Sequence, residues 1–118
     1  MVTHGYDPAR ATSYNLDVFL DYIAHSFAVD TLRTDTHWRL QTDNIGWGKL
    51  KFDFIGRVED YDRDIRQVFA AVGRDDFPPD GLLSRRFNAT RGAIDPVTAD
   101  QRRKIEALYA PDYQAFGY

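Results

Sequence analysis

Residues Lys51 to Gly73, KFDFIGRVEDYDRDIRQVFAAVG, carry two hydrophobic periodicities in succession, and the change between them restricts what the chain can fold into. Phe52, Phe54 and Ile55 form a short run close to alternation, which predicts a strand near 51–56. Gly56 then permits a turn or a close backbone approach. Tyr61, Ile65, Val68, Phe69 and Val72 follow at helical spacing and share one face. Asp60 is placed to cap this helix, Asp62 and Asp64 sit in its first turn, and Gly73 falls where it stops. The result is a strand-turn-helix unit with an apolar side on both parts. Neither part buries that side alone, so other segments must cover it.

The remaining chain supplies two further helical patterns. Asn15 reads as a cap before Leu16, Phe19, Leu20, Ile23 and Phe27, which predicts an amphipathic helix to about Ser26. Its polar side carries Asp21 and His25, one turn apart, too few ligands for a metal site, so no metal is expected. Thr98 and Gln101 have the spacing of a capping box, and Ile105, Leu108 and Tyr109 form a stripe before Pro111, which is expected to end that helix. The tail to Tyr118 holds three aromatic rings in seven residues and is expected to pack back on the domain.

The chemically richest stretches lie between these elements. From Ala28 to Lys49 the helical period is lost, and the stretch reads as an irregular loop containing His37, Trp38 and Arg39. His37 can exchange a proton near neutral pH, Trp38 can stack on a ring, and Arg39 can grip an anion through parallel hydrogen bonds. The plainer alternative is that Trp38 plugs the core while His37 and Arg39 cap backbone groups. A second loop, Arg74 to Val97, contains Arg85, Arg86 and Arg91, which suit either a phosphate or sulfate or simply solvent.

Composition narrows the function. With 118 residues the chain is read as a single domain, 1–118, and an apolar share of 43% with an aromatic share of 14% is that of a folded protein. A net charge of -3 from 15 basic and 18 acidic residues gives no basic field for nucleic acid. The absence of cysteine excludes disulfides, thiolate catalysis and cysteine-ligated zinc. No stretch has the apolar length of a signal peptide or membrane span, so a soluble, cytoplasmic location is the default expectation.

Taken in order, several of these residues form a recognisable set. Asp35-x-His37-Trp38 and Gln41 are followed by Phe52-Asp53-Phe54-Ile55-Gly56-Arg57-Val58-Glu59, Asp64, a loop asparagine, and Tyr109-x-x-Asp112-x-x-x-Phe116-Gly117-Tyr118. Over roughly residues 16 to 118 this order resembles the C-terminal half of the carbohydrate sulfotransferases of the chondroitin and HNK-1 type and their bacterial relatives. Leu40 departs from the pattern, which often has proline after the His-Trp-x triplet.

The resemblance implies an α/β, P-loop-like fold, of which this chain would form a mainly helical C-terminal part with about three helices and the one short strand. It implies transfer of a sulfuryl group from 3′-phosphoadenosine 5′-phosphosulfate (PAPS) to a carbohydrate hydroxyl. On that basis His37 is the candidate catalytic residue, Trp38 and Arg39 contact substrate, Arg57 and Glu59 form an ordering pair, and Arg85, Arg86 and Arg91 reach the cofactor. No Gly-x-x-x-x-Gly-Lys-Ser/Thr loop occurs, and neither Asp7-Pro8 nor Asp95-Pro96 follows an arginine, so the donor-binding portion is expected to be absent. Loss of oxyanion-binding groups costs on the order of 10² to 10³ in rate each, which implies inactivity of the chain alone. The expected partners are a carbohydrate acceptor and either a separate N-terminal half or a second copy of the chain, with no nucleic acid and no membrane segment. A noncatalytic module that binds a protein or glycan partner is the alternative.

Overall fold

The computed structural model describes residue 5 and residues 7–79, 81–83 and 95–118. Among them are five α-helices: α1 (Thr12–Val29), α2 (Gln41–Asn44), α3 (Tyr61–Ala71), α4 (Ala99–Leu108) and α5 (Ala110–Phe116). Short 3-10 turns occupy Thr31–Arg33 and Val58–Asp60. The chain divides into two compact units, one formed by Met1–Leu50 with Ala93–Tyr118 and the other by Lys51–Gly92.

The first unit is built on α1, whose apolar face supplies the buried Leu20 and Ile23, each 2% exposed. Leu40 is the third buried apolar side chain, and the edge-on pair of Phe27 and Tyr109, 5.6 Å between ring centres, joins α1 to the segment between α4 and α5. The predicted start of α1 is corrected by one turn. Asn15 lies inside the helix, where its side chain exchanges two hydrogen bonds with the backbone of Asp7 at 2.9 and 3.1 Å. The cap comes from far along the chain: the Asp95 carboxylate accepts from Thr12 Oγ1 at 2.8 Å and from the Ser13 N–H at 3.2 Å. A carboxylate at this end also meets the positive pole of the helix.

The capping box of α4 forms as the sequence indicates, and it does more than start a helix. Thr98 Oγ1 accepts from the Gln101 N–H and Gln101 Oε1 from the Thr98 N–H, while Gln101 Nε2 reaches Ser13 O, Ser13 Oγ and Asp17 Oδ1 at 2.9 to 3.1 Å. Gln101, 2% exposed, thus bolts α4 to the first turns of α1. Lys104 adds an ion pair to Asp21 farther along the same two helices. Pro111, expected to end the helix, instead begins a new one: α4 stops at Leu108, and Pro111 sits in the first turn of α5, where its missing N–H costs nothing.

In the second unit α3 ends in a Schellman motif. Arg74 N–H bonds to Phe69 O and Gly73 N–H to Ala70 O, with Gly73 at φ 77°, a conformation open to glycine. At the other end Asp60 makes no side-chain cap, because the turn Val58–Asp60 already leads into the helix. Asp64 is the buried residue there. Its carboxylate accepts the Arg57 N–H at 2.8 Å and bonds the Arg63 guanidinium, closing the helix onto the loop before it. Gly56 makes this possible, since a Cβ at that position would lie 3.3 Å from Asp64 Cβ.

The strand expected at 51–56 does not form, and the described residues contain no sheet. Alternation decides which side chains share a face, but a strand exists only where its N–H and C=O groups meet a neighbour, and no ladder is offered here. One isolated bridge, Trp47 to Leu50, is the only β pairing among the described residues. The count of about three helices is likewise corrected by the two short ones, α2 and α5, which lie where the sequence shows no sustained period.

Replacing Gln101 by Ala leaves the Thr98 N–H and Ser13 O without their partner, so we expect urea unfolding followed by circular dichroism to show a loss of about 1–3 kcal/mol. The exposed neighbour Arg102→Ala should stay within about 0.5 kcal/mol of the parent.

Candidate functional site

The loop between α1 and α2 is closed by a series of local hydrogen bonds. Asp30 Oδ1 accepts the Leu32 N–H, Thr34 Oγ1 donates to Asp30 O, and Thr34 is buried. Arg39 then folds back so that Nε and Nη2 both donate to Thr34 O, at 3.0 and 2.7 Å. The carbonyl of Asp35 accepts from the Trp38 and Arg39 N–H groups, and Asn44 Nδ2 donates to Thr36 O. Every backbone turn from 34 to 39 is therefore tied to something.

Two residues from the C-terminal segment fix this loop from outside. The Asp112 carboxylate accepts the Gln41 and Thr42 N–H groups at 2.8 and 2.9 Å and the Thr42 hydroxyl at 2.9 Å. These are the orphan donors at the start of α2, so the cap of that helix lies some seventy residues away in the chain. Tyr109 donates its phenol proton to Trp38 O at 2.6 Å. Burial, reinforced by the nearby Asp112 charge, pushes the Tyr109 pKa above its ordinary value and keeps it a donor.

Inside this frame the three sequence candidates part company. The Trp38 ring packs edge-on against Phe19 at 5.3 Å and Tyr22 at 6.1 Å, with Nε1 buried and unpartnered. Arg39 spends two N–H groups on Thr34. His37 stands outward, 83% exposed, 6.2 Å between ring centres from Trp38. Its Nδ1 lies 2.6 Å from Asp35 Oδ1, which also accepts the His37 backbone N–H at 2.9 Å. An ionised carboxylate only accepts, so Nδ1 carries the proton and Nε2 of the neutral ring holds a lone pair. That is the arrangement of an oriented base.

Sequence reasoning placed Asp35 in the Asp35-x-His37-Trp38 set but gave it no role, although an aspartate two residues before a histidine is the spacing of a turn in which a carboxylate captures the later N–H. It also missed the roles of Asp112 and Tyr109. Arg57 and Glu59 belong to the second unit, where Arg57 borders a concavity with Phe54, Tyr61, Asp64 and Val68, while Glu59 lies in the 3-10 turn. Arg85, Arg86 and Arg91 lie outside the described residues. Near α2, a second concavity of about 280 Å³ is lined by Gln41, Asp112, Tyr113, Phe116 and Tyr118.

A helical scaffold thus holds an exposed carboxylate-histidine pair beside a tryptophan. The sequence model of the sulfotransferase family matches residues 3–118, and the chain belongs to that family. No curated protein and no solved structure matches it. No described helix is long and apolar enough to cross a membrane.

The backbone N–H of His37, then its ring, hold the Asp35 carboxyl below the ordinary aspartate pKa. The folded value lies below the unfolded one, so the stability this residue contributes is present above about pH 4 and is lost as pH falls through the lowered value. Carbon-detected NMR titration should find Asp35 titrating low, and His37→Ala should return it part of the way, because the backbone hydrogen bond remains.

Proposed function

We propose that the chain supplies the acceptor side of a PAPS-dependent carbohydrate sulfotransferase on a P-loop-like plan. The observation that carries this reading is the 2.6 Å contact between His37 Nδ1 and Asp35, which turns Nε2 toward solvent. His37 Nε2 takes the proton of the acceptor hydroxyl, and Asp35 holds the ring and balances the imidazolium charge that results. Trp38 anchors the loop and offers the sugar an edge beside the imidazole. Arg39 keeps the loop closed through Thr34 and retains guanidinium N–H groups for an anionic acceptor substituent. Arg57 and Glu59 order the turn before α3, and Arg85, Arg86 and Arg91 contact the donor from the C-terminal side.

The described residues do not suit the donor itself. Three concavities each include an aspartate, Asp21, Asp64 or Asp112, whose charge opposes phosphate, and the sequence has no phosphate loop. We therefore derive no step through the donor and assign these 118 residues an acceptor role without activity of their own.

A second reading, an interaction module, has one observation in its favour. In the second unit Phe52, Phe54, Ile55, Val58, Tyr61, Val68 and Val72 are exposed, from 36% to 85%, an apolar surface suited to a second copy. Equilibrium sedimentation of the parent and Val58→Lys tests the self-associating form of it: a concentration-dependent mass abolished by the substitution supports association, and an invariant monomer mass removes a second copy as the partner.

For the main reading the measurement is calorimetry on the folded chain with two probes. An unsulfated chondroitin hexasaccharide should bind and bind more weakly to His37→Ala, whereas 3′-phosphoadenosine 5′-phosphate should give no heat at micromolar concentration. Absence of carbohydrate binding would overturn the acceptor role, and micromolar binding of the nucleotide would overturn the claim that the donor site is not built here.

A further inference from the structure

The concavity beside α2 is distinct from the His37 loop yet shares a residue run with it. Tyr113 and Tyr118 meet at 84° with ring centres 6.4 Å apart, which makes an aromatic corner, and Phe116 forms the adjoining wall, backed by Trp47 at 5.2 Å. Gln41 also lines it, an exposed residue whose backbone N–H is held by Asp112. Tyr118 is 61% exposed, so its ring is accessible to a ligand. Apolar walls with one amide that both donates and accepts suit a pyranose, whose C–H faces are apolar and whose rim is hydroxyl.

We infer that this concavity is a neutral-sugar subsite, which takes a pyranose ring of the acceptor chain other than the one presented to His37. The inference rests on the carbohydrate-acceptor reading above and specifies it further. Neutrality follows from Asp112 in the lining: all the described hydrogen bonds of its carboxylate go to α2, and its charge opposes a uronate carboxylate or a sulfate at the same place. Reach follows from the chain. Gln41 lies four positions after His37, and four extended residue steps span at most about 14 Å, so a short oligosaccharide bridges both positions. The site therefore reads a ring beyond the reacting one and selects chains in which that ring is uncharged.

The test is NMR titration of the full chain with unsulfated chondroitin hexasaccharide, in which neutral N-acetylgalactosamine alternates with uronate. The expected result is a shift of the Gln41 side-chain amide and Tyr118 ring signals, with contacts from the Tyr118 ring to N-acetylgalactosamine protons rather than to uronate. Tyr118→Ala and Gln41→Ala, both at exposed side chains, should each weaken the dissociation constant roughly three- to tenfold at unchanged melting temperature. Shifts confined to His37 and Trp38, with both variants binding like the parent, would overturn the subsite and leave the acceptor reading intact. Shifts at Gln41 and Tyr118 with a silent His37 would support the subsite and remove His37 from the acceptor site. No binding of the hexasaccharide at all would overturn both.

Discussion

The Asp112 carboxylate, 9% exposed and shared between the Gln41 and Thr42 N–H groups, is the constraint on which the candidate site depends. A four-residue helix such as α2 does not stand alone in water, because its nucleus costs more than its few hydrogen bonds return. Asp112 supplies what α2 lacks, a charged acceptor for its orphan donors, and hydrogen bonds to a charged group contribute about 1.5–3 kcal/mol each. Because α2 follows the His37 loop directly, fixing its first turn fixes where that loop ends. Tyr109, one turn earlier in the C-terminal segment, fixes the loop at Trp38 O.

This way of holding a structure suits a unit with little core. Among the described residues of the first unit only Leu20, Ile23 and Leu40 are buried apolar side chains, while Thr34, Gln101 and Asp112 are buried polar ones. The first unit is thus joined by specific polar links, Asp95 to α1, Gln101 between α4 and α1, and Asp112 to α2. Such links are directional, so they define positions more narrowly than apolar contact does. The base role proposed for His37 calls for that definition in the loop beneath it, even though the ring itself stands in solvent.

What the sequence revealed and what it hid follow from the range of the interactions. Local signals were legible: the Thr98–Gln101 capping box, the stop at Gly73 and the apolar face of α1, whereas the α3 stripe at Tyr61, Val68 and Val72 stays exposed instead of covered. Distant partners were not. Asn15 has the look of a cap, but the true cap, Asp95, is brought in by the fold, and Asn15 is spent on Asp7. Asp112 follows a proline that the sequence reads as a helix stop, and nothing local shows that it serves another helix. The alternation at 52–55 was real, yet a strand needs a neighbour that periodicity cannot supply. Trp38 left two roles open because its edge-on packing against Phe19 and Tyr22 depends on the tertiary fold.

The most direct measurement of the central claim is amide hydrogen exchange across residues 35–42 in the parent chain and in Asp112→Ala. If the carboxylate holds α2 and through it the His37 loop, the Gln41 and Thr42 amides exchange slowly in the parent, and the substitution accelerates both of them together with Trp38 and Arg39, while α4 keeps its protection. Unchanged rates at Gln41 and Thr42 in Asp112→Ala would contradict the account, because α2 would then stand without the carboxylate.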